Sequence, residues 1–418
     1  MRIALQTIGT RGDIQPFVAL GVGLKSAGFE VSLATSPQFE HFVTSSGLAF
    51  NCLPGDIVNL IQTPLGKAAL SGRNKLIAGV RLLRQLHPMF WRLANAQWNA
   101  AQGADAIVYH PKAIAGTHIA EKLGIPAFVA LPLPALSPTS AFPSPLMPFT
   151  NLGQLNRASH RLVTQFGDFA FRKVLRRWRN EKLGLAGYPN WLTLRGKPVP
   201  RLYPYSRAVV PIPSDWDATS VVTGYWFVDD AIDWQAPASL TAFLNAGPPP
   251  VYVGFGSLPS LDALKMTDLV LDAVDRSGQR AVLAKGWGGL GDRPVPPNVQ
   301  LIDDAPHGWL FPQVSAVVHH GGAGTTAAGL KAGRSTIICP FIGDQSFWGE
   351  RVRSLGVGPA PIGQQTLTVE RLASALMAVT ADAGIRERAT ALGRQISSEQ
   401  GVANAVRYIS DAISRTIS

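Results

Sequence analysis

Cysteine is almost missing from this 418-residue chain. Cys52 and Cys339 are the only two, which excludes a disulfide scaffold and a cysteine-rich metal site; both read as small core residues. No stretch of about 18 uninterrupted apolar residues occurs, so no membrane-spanning helix is expected. The start Met1-Arg2-Ile3-Ala4-Leu5-Gln6-Thr7-Ile8 turns polar too soon for a secretory signal, which predicts a cytoplasmic protein. Charge is sparse, at 16% of residues, and leans to one sign, with 38 Lys and Arg against 27 Asp and Glu. Such a chain is drawn to anionic surfaces. It has no zinc-finger spacing and no basic stretch interleaved with aromatic residues, so nucleic acid is not an expected partner.

The basic excess is concentrated between Leu155 and Lys182, where eight cationic residues meet two acidic ones. Phe166, Phe169, Val174, Leu175 and Trp178 can form an apolar face beside Arg172, Lys173, Arg176, Arg177 and Arg179. Two readings stand: a solvated helix face, and a basic amphipathic helix lying at an anionic membrane surface, peripheral to it.

Hydrophobic residues make up 46% of the chain, and its length suits two domains of roughly 200 residues each. Periodicity predicts strands over 2–8, 30–34, 104–110 and 126–131, with helices over 14–27 and 113–123. Strands over 251–255, 280–284, 299–302, 316–319 and 336–340 follow. Alternating strands and helices predict parallel sheets, hence two Rossmann-like α/β domains. The proline- and glycine-rich stretch 237–250 has linker composition. The expected division is 1–236, a linker over 237–250, a second domain over 251–393, and a carboxy-terminal helix over 394–418.

The densest motif is His319-His320-Gly321-Gly322-Ala323-Gly324-Thr325-Thr326, where a strand feeds a helix. Free N–H groups and the positive dipole end of a helix make such a junction an anion site, and glycines let a diphosphate approach. His320 and Thr325 would add side-chain donors. A glycine-rich connection with a core histidine is the alternative for the short motif alone. No metal-binding motif accompanies it, so no metal or other cofactor is expected.

This run, followed by Pro340-Phe341-Ile342-Gly343-Asp344-Gln345, resembles the donor signature of the inverting two-domain glycosyltransferases, above all the sterol glucosyltransferases and the glycopeptide- and macrolide-antibiotic glycosyltransferases. Gly9-Thr10-Arg11-Gly12-Asp13-Ile14-Gln15-Pro16, after the first strand, is similar to the amino-terminal loop of the same groups. The resemblance spans nearly the whole chain. It implies a GT-B fold, two facing parallel-sheet domains with an interdomain cleft, whose carboxy-terminal helix crosses back onto the first domain.

It also implies roles. Asp13 falls where a general base takes the acceptor hydroxyl proton, although an N-cap role is the other reading of an aspartate at a helix start. The departing diphosphate would meet His320 and the backbone of Gly322, Ala323, Gly324 and Thr325, and Gly12 is a further donor-binding candidate. Ser257 matches the family's phosphate-contacting serine or caps the next helix. Asp344 and Gln345 would hydrogen-bond sugar hydroxyls, or cap the following helix. Near the base, Asp304-Ala305-Pro306-His307 stands where many plant relatives have Trp-Ala-Pro-Gln, so Ala305, His307 and Trp287 are candidates that equally suit loop packing. Ala328 replaces a ribose-binding glutamate, which leaves ribose and deoxyribose nucleotides both open, with UDP-glucose favoured as co-substrate over a TDP-deoxysugar. A lipophilic small-molecule acceptor, a sterol or polyketide, would bind the irregular middle of the first domain, over 55–101 and 131–149. Phe90, Trp91, Trp98, Phe142, Met147 and Phe149 would line that pocket or form ordinary core. A protein that binds sugar nucleotides without catalysis is the alternative from another class.

Overall fold

A computed structural model describes residues 1–54, 75–228, 234–256, 263–286, 290–291 and 293–417. The first domain opens with β1 (Arg2–Gln6), α1 (Arg11–Ser26), β2 (Glu30–Thr35), α2 (Glu40–Ser45) and β3 (Ala49–Cys52). It continues through α3 (Lys75–Ala100), β4 (Ala106–Tyr109), α4 (Gly116–Leu123), β5 (Ala127–Ala130) and α5 (Asn156–Trp178). A short hairpin of β6 (Thr193–Leu194) and β7 (Lys197–Pro198) precedes β8 (Arg201–Tyr203) and β9 (Ser220–Val222). Seven strands form a parallel sheet in the order β3-β2-β1-β4-β5-β8-β9. Every residue of β4 and β5 is buried, as expected for central parallel strands covered by helices on both faces. The edge strand β3 is partly open to solvent.

The second domain holds α6 (Ala238–Asn245), β10 (Val251–Gly254), α7 (Ala263–Ser277), β11 (Ala281–Ala284), β12 (Val299–Ile302), α8 (His307–Leu310), β13 (Ala316–His319), α9 (Ala323–Lys331) and β14 (Ser335–Ile338). Helices α10 (Gln345–Ser354), α11 (Val369–Ala381), α12 (Ala383–Ser397) and α13 (Gly401–Ile417) complete the chain. Its five strands are parallel in the order β12-β11-β10-β13-β14. Both sheets therefore reverse direction of growth beside their first strand, at β1/β4 and at β10/β13. Such switch points open a crevice at the strand carboxyl ends, where ligands bind.

Two sequence expectations change. The stretch 237–250, read as a linker, contains α6, whose Leu240 is buried with Tyr252, Val282 and Phe311 of the second domain. Arg280 anchors it, donating to Pro248 O (2.7 Å) and lying over the Phe243 ring (4.3 Å). Prolines at both ends dominated the composition and hid an eight-residue helix between them. Helix α1 starts at Arg11 rather than Ile14, because Thr10 and Asp13 form a reciprocal capping box that extends the helix ahead of its apolar stripe.

Helix α13 lies on the first domain. Ala405, Ile409 and Ile413 are buried with Phe17, Leu20 and Leu24 of α1. Close approach depends on Gly23, where a Cβ would sit 2.3 Å from Val402 Cγ1. Asn404 Nδ2 donates to Thr223 O (3.0 Å), and Ser206 Oγ donates to Glu399 Oε1 (2.6 Å), so polar bonds fix the crossing point. Gly23→Ala should destabilise the chain by about 1–3 kcal/mol through overpacking. Adding Val402→Ala should restore most of that loss in urea unfolding; an uncompensated double variant would refute the contact.

Candidate active site

Asp13 sits in the first turn of α1, beyond the carboxyl end of β1. Its Oδ2 accepts the Thr10 N–H (2.8 Å), so the capping role read from sequence is real, but from inside the helix. Gly9 makes room: a Cβ there would lie 2.1 Å from Asp13 Oδ2, and its φ of +146° favours glycine. From the loop after β4, Lys112 Nζ donates to both Asp13 oxygens at 2.8 Å. His110 Nε2 stands 3.5 Å from Asp13 Oδ1. The Lys112 N–H donates to His110 Nδ1 (3.1 Å), which puts the proton of the neutral ring on Nε2, toward Asp13.

Burial by itself would raise the Asp13 pKa. The Lys112 ammonium, His110 and the Thr10 N–H outweigh it and hold the carboxyl below its usual 3.8. Burial drives His110 the other way, to about 3, so it is neutral at physiological pH. Asp13 is thus an ionised carboxylate, while the oxygens that would accept a proton are occupied by an ammonium. Sequence reasoning missed Lys112 and His110. The signal was topological, because β4 neighbours β1 and the residues after both strands share one crevice.

Across the cleft, α9 begins without compensation. Gly322 is its N-cap with no side-chain bond to the helix, and no acidic residue lies in its first turn. Ala323, Gly324 and Thr325 present the helix start, and a Cβ on Gly324 would lie 3.7 Å from Gly12 Cα. The two helix N-termini therefore meet backbone to backbone, which concentrates partial positive charge where an anion would bind.

The two histidines divide their work. His319 is buried and its Nδ1 accepts the Gly321 N–H (2.9 Å). His320 lies between two glycines: a Cβ on Gly256 would be 2.7 Å from its Cε1, and one on Gly322 would be 2.6 Å from its Nε2. Burial lowers its pKa to about 4, and its Nδ1 is buried without a hydrogen-bond partner among the described residues. A buried ring nitrogen left unpaired is costly, which suits a ligand contact.

Asp344 precedes α10 without capping it. Its Oδ2 instead accepts the Trp348 indole N–H (2.9 Å). Burial raises its pKa, the Trp348 bond lowers it, and Asp13 on the other domain raises it again; the two carboxylates sense each other across the cleft. Gln345 is buried and its Oε1 accepts the N–H groups of Phe341 (2.6 Å) and Ile342 (3.0 Å). Its carbonyl shapes the preceding turn, leaving the NH₂ as donor. Phe142 of the first domain and Phe347 of α10 close the same region, with ring centroids 5.7 Å apart.

The base-binding candidates are less convergent. Ala305 is buried and its N–H is held by Asp304 Oδ1 (2.9 Å). The His307 ring stacks on Phe311 (4.3 Å, 15°) and meets the Tyr252 edge. Ser257 and Trp287 lie outside the described residues, as do 55–74 of the acceptor region. Phe90 is core, packed on Phe171 at 4.2 Å. The proline-rich 131–149 connection is well anchored. Asp215 accepts from Thr139 Oγ1 (2.7 Å), Ser140 N (2.8 Å) and Ser140 Oγ (2.9 Å).

Two facing parallel sheets, with a polar crevice where their switch points meet, define a GT-B glycosyltransferase fold. The kitacinnamycin glycosyltransferase structure shares it (TM-score 0.71, 21% identity, 98% of each chain covered). So does the glycosyltransferase VinC in complex with dTDP (TM-score 0.69, 19% identity, 99% of this chain and 100% of that one). Residues 3–140 match the glycosyltransferase family 28 N-terminal domain, and 270–409 match the erythromycin biosynthesis protein CIII-like C-terminal domain. Sterol 3-beta-glucosyltransferase UGT80A2 of Arabidopsis thaliana is 39% identical across 97% of this chain and 65% of its own length. For UGT80B1 of the same plant the figures are 38%, 97% and 67%, and for the sterol 3-beta-glucosyltransferase of Emericella nidulans 38%, 98% and 30%. This chain belongs to the glycosyltransferase family that contains the sterol 3-beta-glucosyltransferases. It spans about two thirds of the plant relatives and under a third of the fungal one.

Replacing Lys112 by Met removes the ammonium that opposes burial at Asp13. The carboxyl should then titrate at higher pH, moving the acid limb of the kcat/KM profile upward. Stability follows the same sign: a depressed carboxyl stabilises the fold above its unfolded pKa and loses that contribution as pH falls through the folded value. An acid limb that stays in place in Lys112→Met would show that Lys112 does not tune Asp13.

Proposed function

We propose that this chain transfers glucose from UDP-glucose to a hydroxyl of a lipophilic small molecule, a sterol or polyketide, with inversion. The observation that carries the reading is the pairing, across one cleft, of an ionised Asp13 with the start of α9, which has no acidic residue in its first turn. Asp13 takes the acceptor proton as the oxygen forms its bond to the anomeric carbon. The bond from that carbon to the phosphate oxygen breaks on the opposite face, so an α-linked donor yields a β-glycoside. Negative charge growing on the departing diphosphate meets the N–H groups of Gly322 to Thr325 and a donor N–H from neutral His320. Asp344 and the Gln345 amide hold sugar hydroxyls beside the reacting carbon, and Gly12 permits the close approach.

Sequence similarity to sterol 3-beta-glucosyltransferases over nearly the whole chain supports glucose and a sterol-like acceptor. Because such an acceptor partitions into bilayers, the reading includes peripheral contact of 155–182 with an anionic membrane. Transfer of a TDP-deoxysugar to an antibiotic aglycone is the alternative within the enzyme class.

Nucleoside-diphosphate release from UDP- and TDP-sugars, with sterol, flavonoid and macrolide acceptors, tests the proposal. Release should require an acceptor and fall by about two to four orders of magnitude in Asp13→Ala. His320→Ala should lower kcat by about a hundredfold, the scale of losing one donor to developing charge. Preference for TDP-sugars would select the alternative, and nucleotide binding without release in any pairing would point to a noncatalytic protein.

A further inference from the structure

Helix α5 carries two apolar faces. One is packed, with His160, Val174 and Trp178 in the core. The other is bare: Leu162, Phe166 and Phe169 are 59%, 69% and 76% exposed, and Leu155 at the helix start is 64% exposed. Spacings of four, three and seven residues put these side chains on one helical face. The adjoining loop extends it with exposed Leu146 and Phe149. Ser144 N–H donates to Ser159 Oγ (2.8 Å) and Leu152 N–H to Asn156 Oδ1 (2.8 Å), which folds that loop against the first turns of α5. Of the eleven large hydrophobic side chains exposed among the described residues, six lie between Leu146 and Phe169. That is a patch, not the ordinary scatter of single surface hydrophobes.

Its border is cationic. Arg157, Arg172 and Arg177 are neutralised by Asp215, Asp168 and Glu181. Arg161, Lys173 and Arg176 are exposed and have no acidic partner among the described residues. We propose that this face docks on an anionic phospholipid bilayer, its aromatic and leucine side chains entering the interfacial zone while the free cations meet lipid phosphates. A second copy of the chain is a poorer occupant, because self-pairing of the face would bring unpaired cations together. Among the described residues no helix is long and apolar enough to cross a membrane, and docking needs none.

The loop that carries Leu146 and Phe149 also carries Phe142, which meets Phe347 at the cleft. Docking therefore sets the acceptor loop against the leaflet, so that a lipophilic acceptor reaches the cleft without crossing bulk water. The delivery step rests on the transferase reading, and the docking deepens the membrane contact in that reading by naming the face that makes it.

Co-sedimentation with vesicles of phosphatidylcholine alone, and of phosphatidylcholine mixed with phosphatidylserine, tests it. The wild-type chain should pellet with the anionic vesicles and bind neutral ones at least about tenfold more weakly. Phe166→Ser/Phe169→Ser should stay in the supernatant with an unchanged circular-dichroism melting curve, and Arg161→Glu/Arg176→Glu should lose the preference for anionic lipid. Wild-type chain that pellets with neither vesicle, or variants that pellet as wild type does, would overturn the proposal. A wild-type dimer that the double Ser variant converts to monomer in sedimentation velocity would instead assign the face to a second copy. Vesicle binding is read without turnover, so its failure is separable from a failure of nucleotide release.

Discussion

Everything at the cleft depends on two helix N-termini meeting with no side chain between them. The starts of α1 and α9 lie close together, since a Cβ on Gly324 would come within 3.7 Å of Gly12 Cα, although their positive dipole ends repel. Asp13 offsets the first end from within its own helix. The second end has no acidic residue to offset it, an arrangement suited to an anion.

Around that constraint the titratable groups are driven apart. Asp13 is held ionised by Lys112 against the pull of burial, while burial and Asp13 itself raise Asp344. His110 and His320 are kept neutral. Carboxylates with opposed shifts on facing domains can take different jobs. An ammonium-bound carboxylate is a weak base, so a proton-accepting role for Asp13 would require Lys112 to release both of its oxygens.

The scaffold holds this geometry through contacts far apart in sequence. Helix α13 returns to α1, and Arg351 Nε donates to Val209 O (2.8 Å) across the domains. Asp215 pins the proline-rich 131–149 connection, which the sequence offered as a candidate acceptor-binding element. That segment carries both Phe142, which meets Phe347 at the cleft, and the exposed Leu146 and Phe149 beside the bare face of α5.

Local patterns in the chain determined the alternation of strands and helices, the parallel sheets and the two glycine motifs, because periodicity and helix-start chemistry act over a few residues. Asp13, His320 and Asp344 stood out as candidates only because the short motifs around them resemble those of a known family. Composition misread 237–250, since prolines at its ends outweighed the helix between them. Only the tertiary structure decided that Lys112 and His110 face Asp13, that Gln345 spends its carbonyl on a turn, and which face of α5 is bare. The first follows from strand order, which brings residues about a hundred positions apart into one crevice; the second is a local bond to Phe341 and Ile342 that composition does not reveal; the third depends on what the rest of the domain packs against the helix.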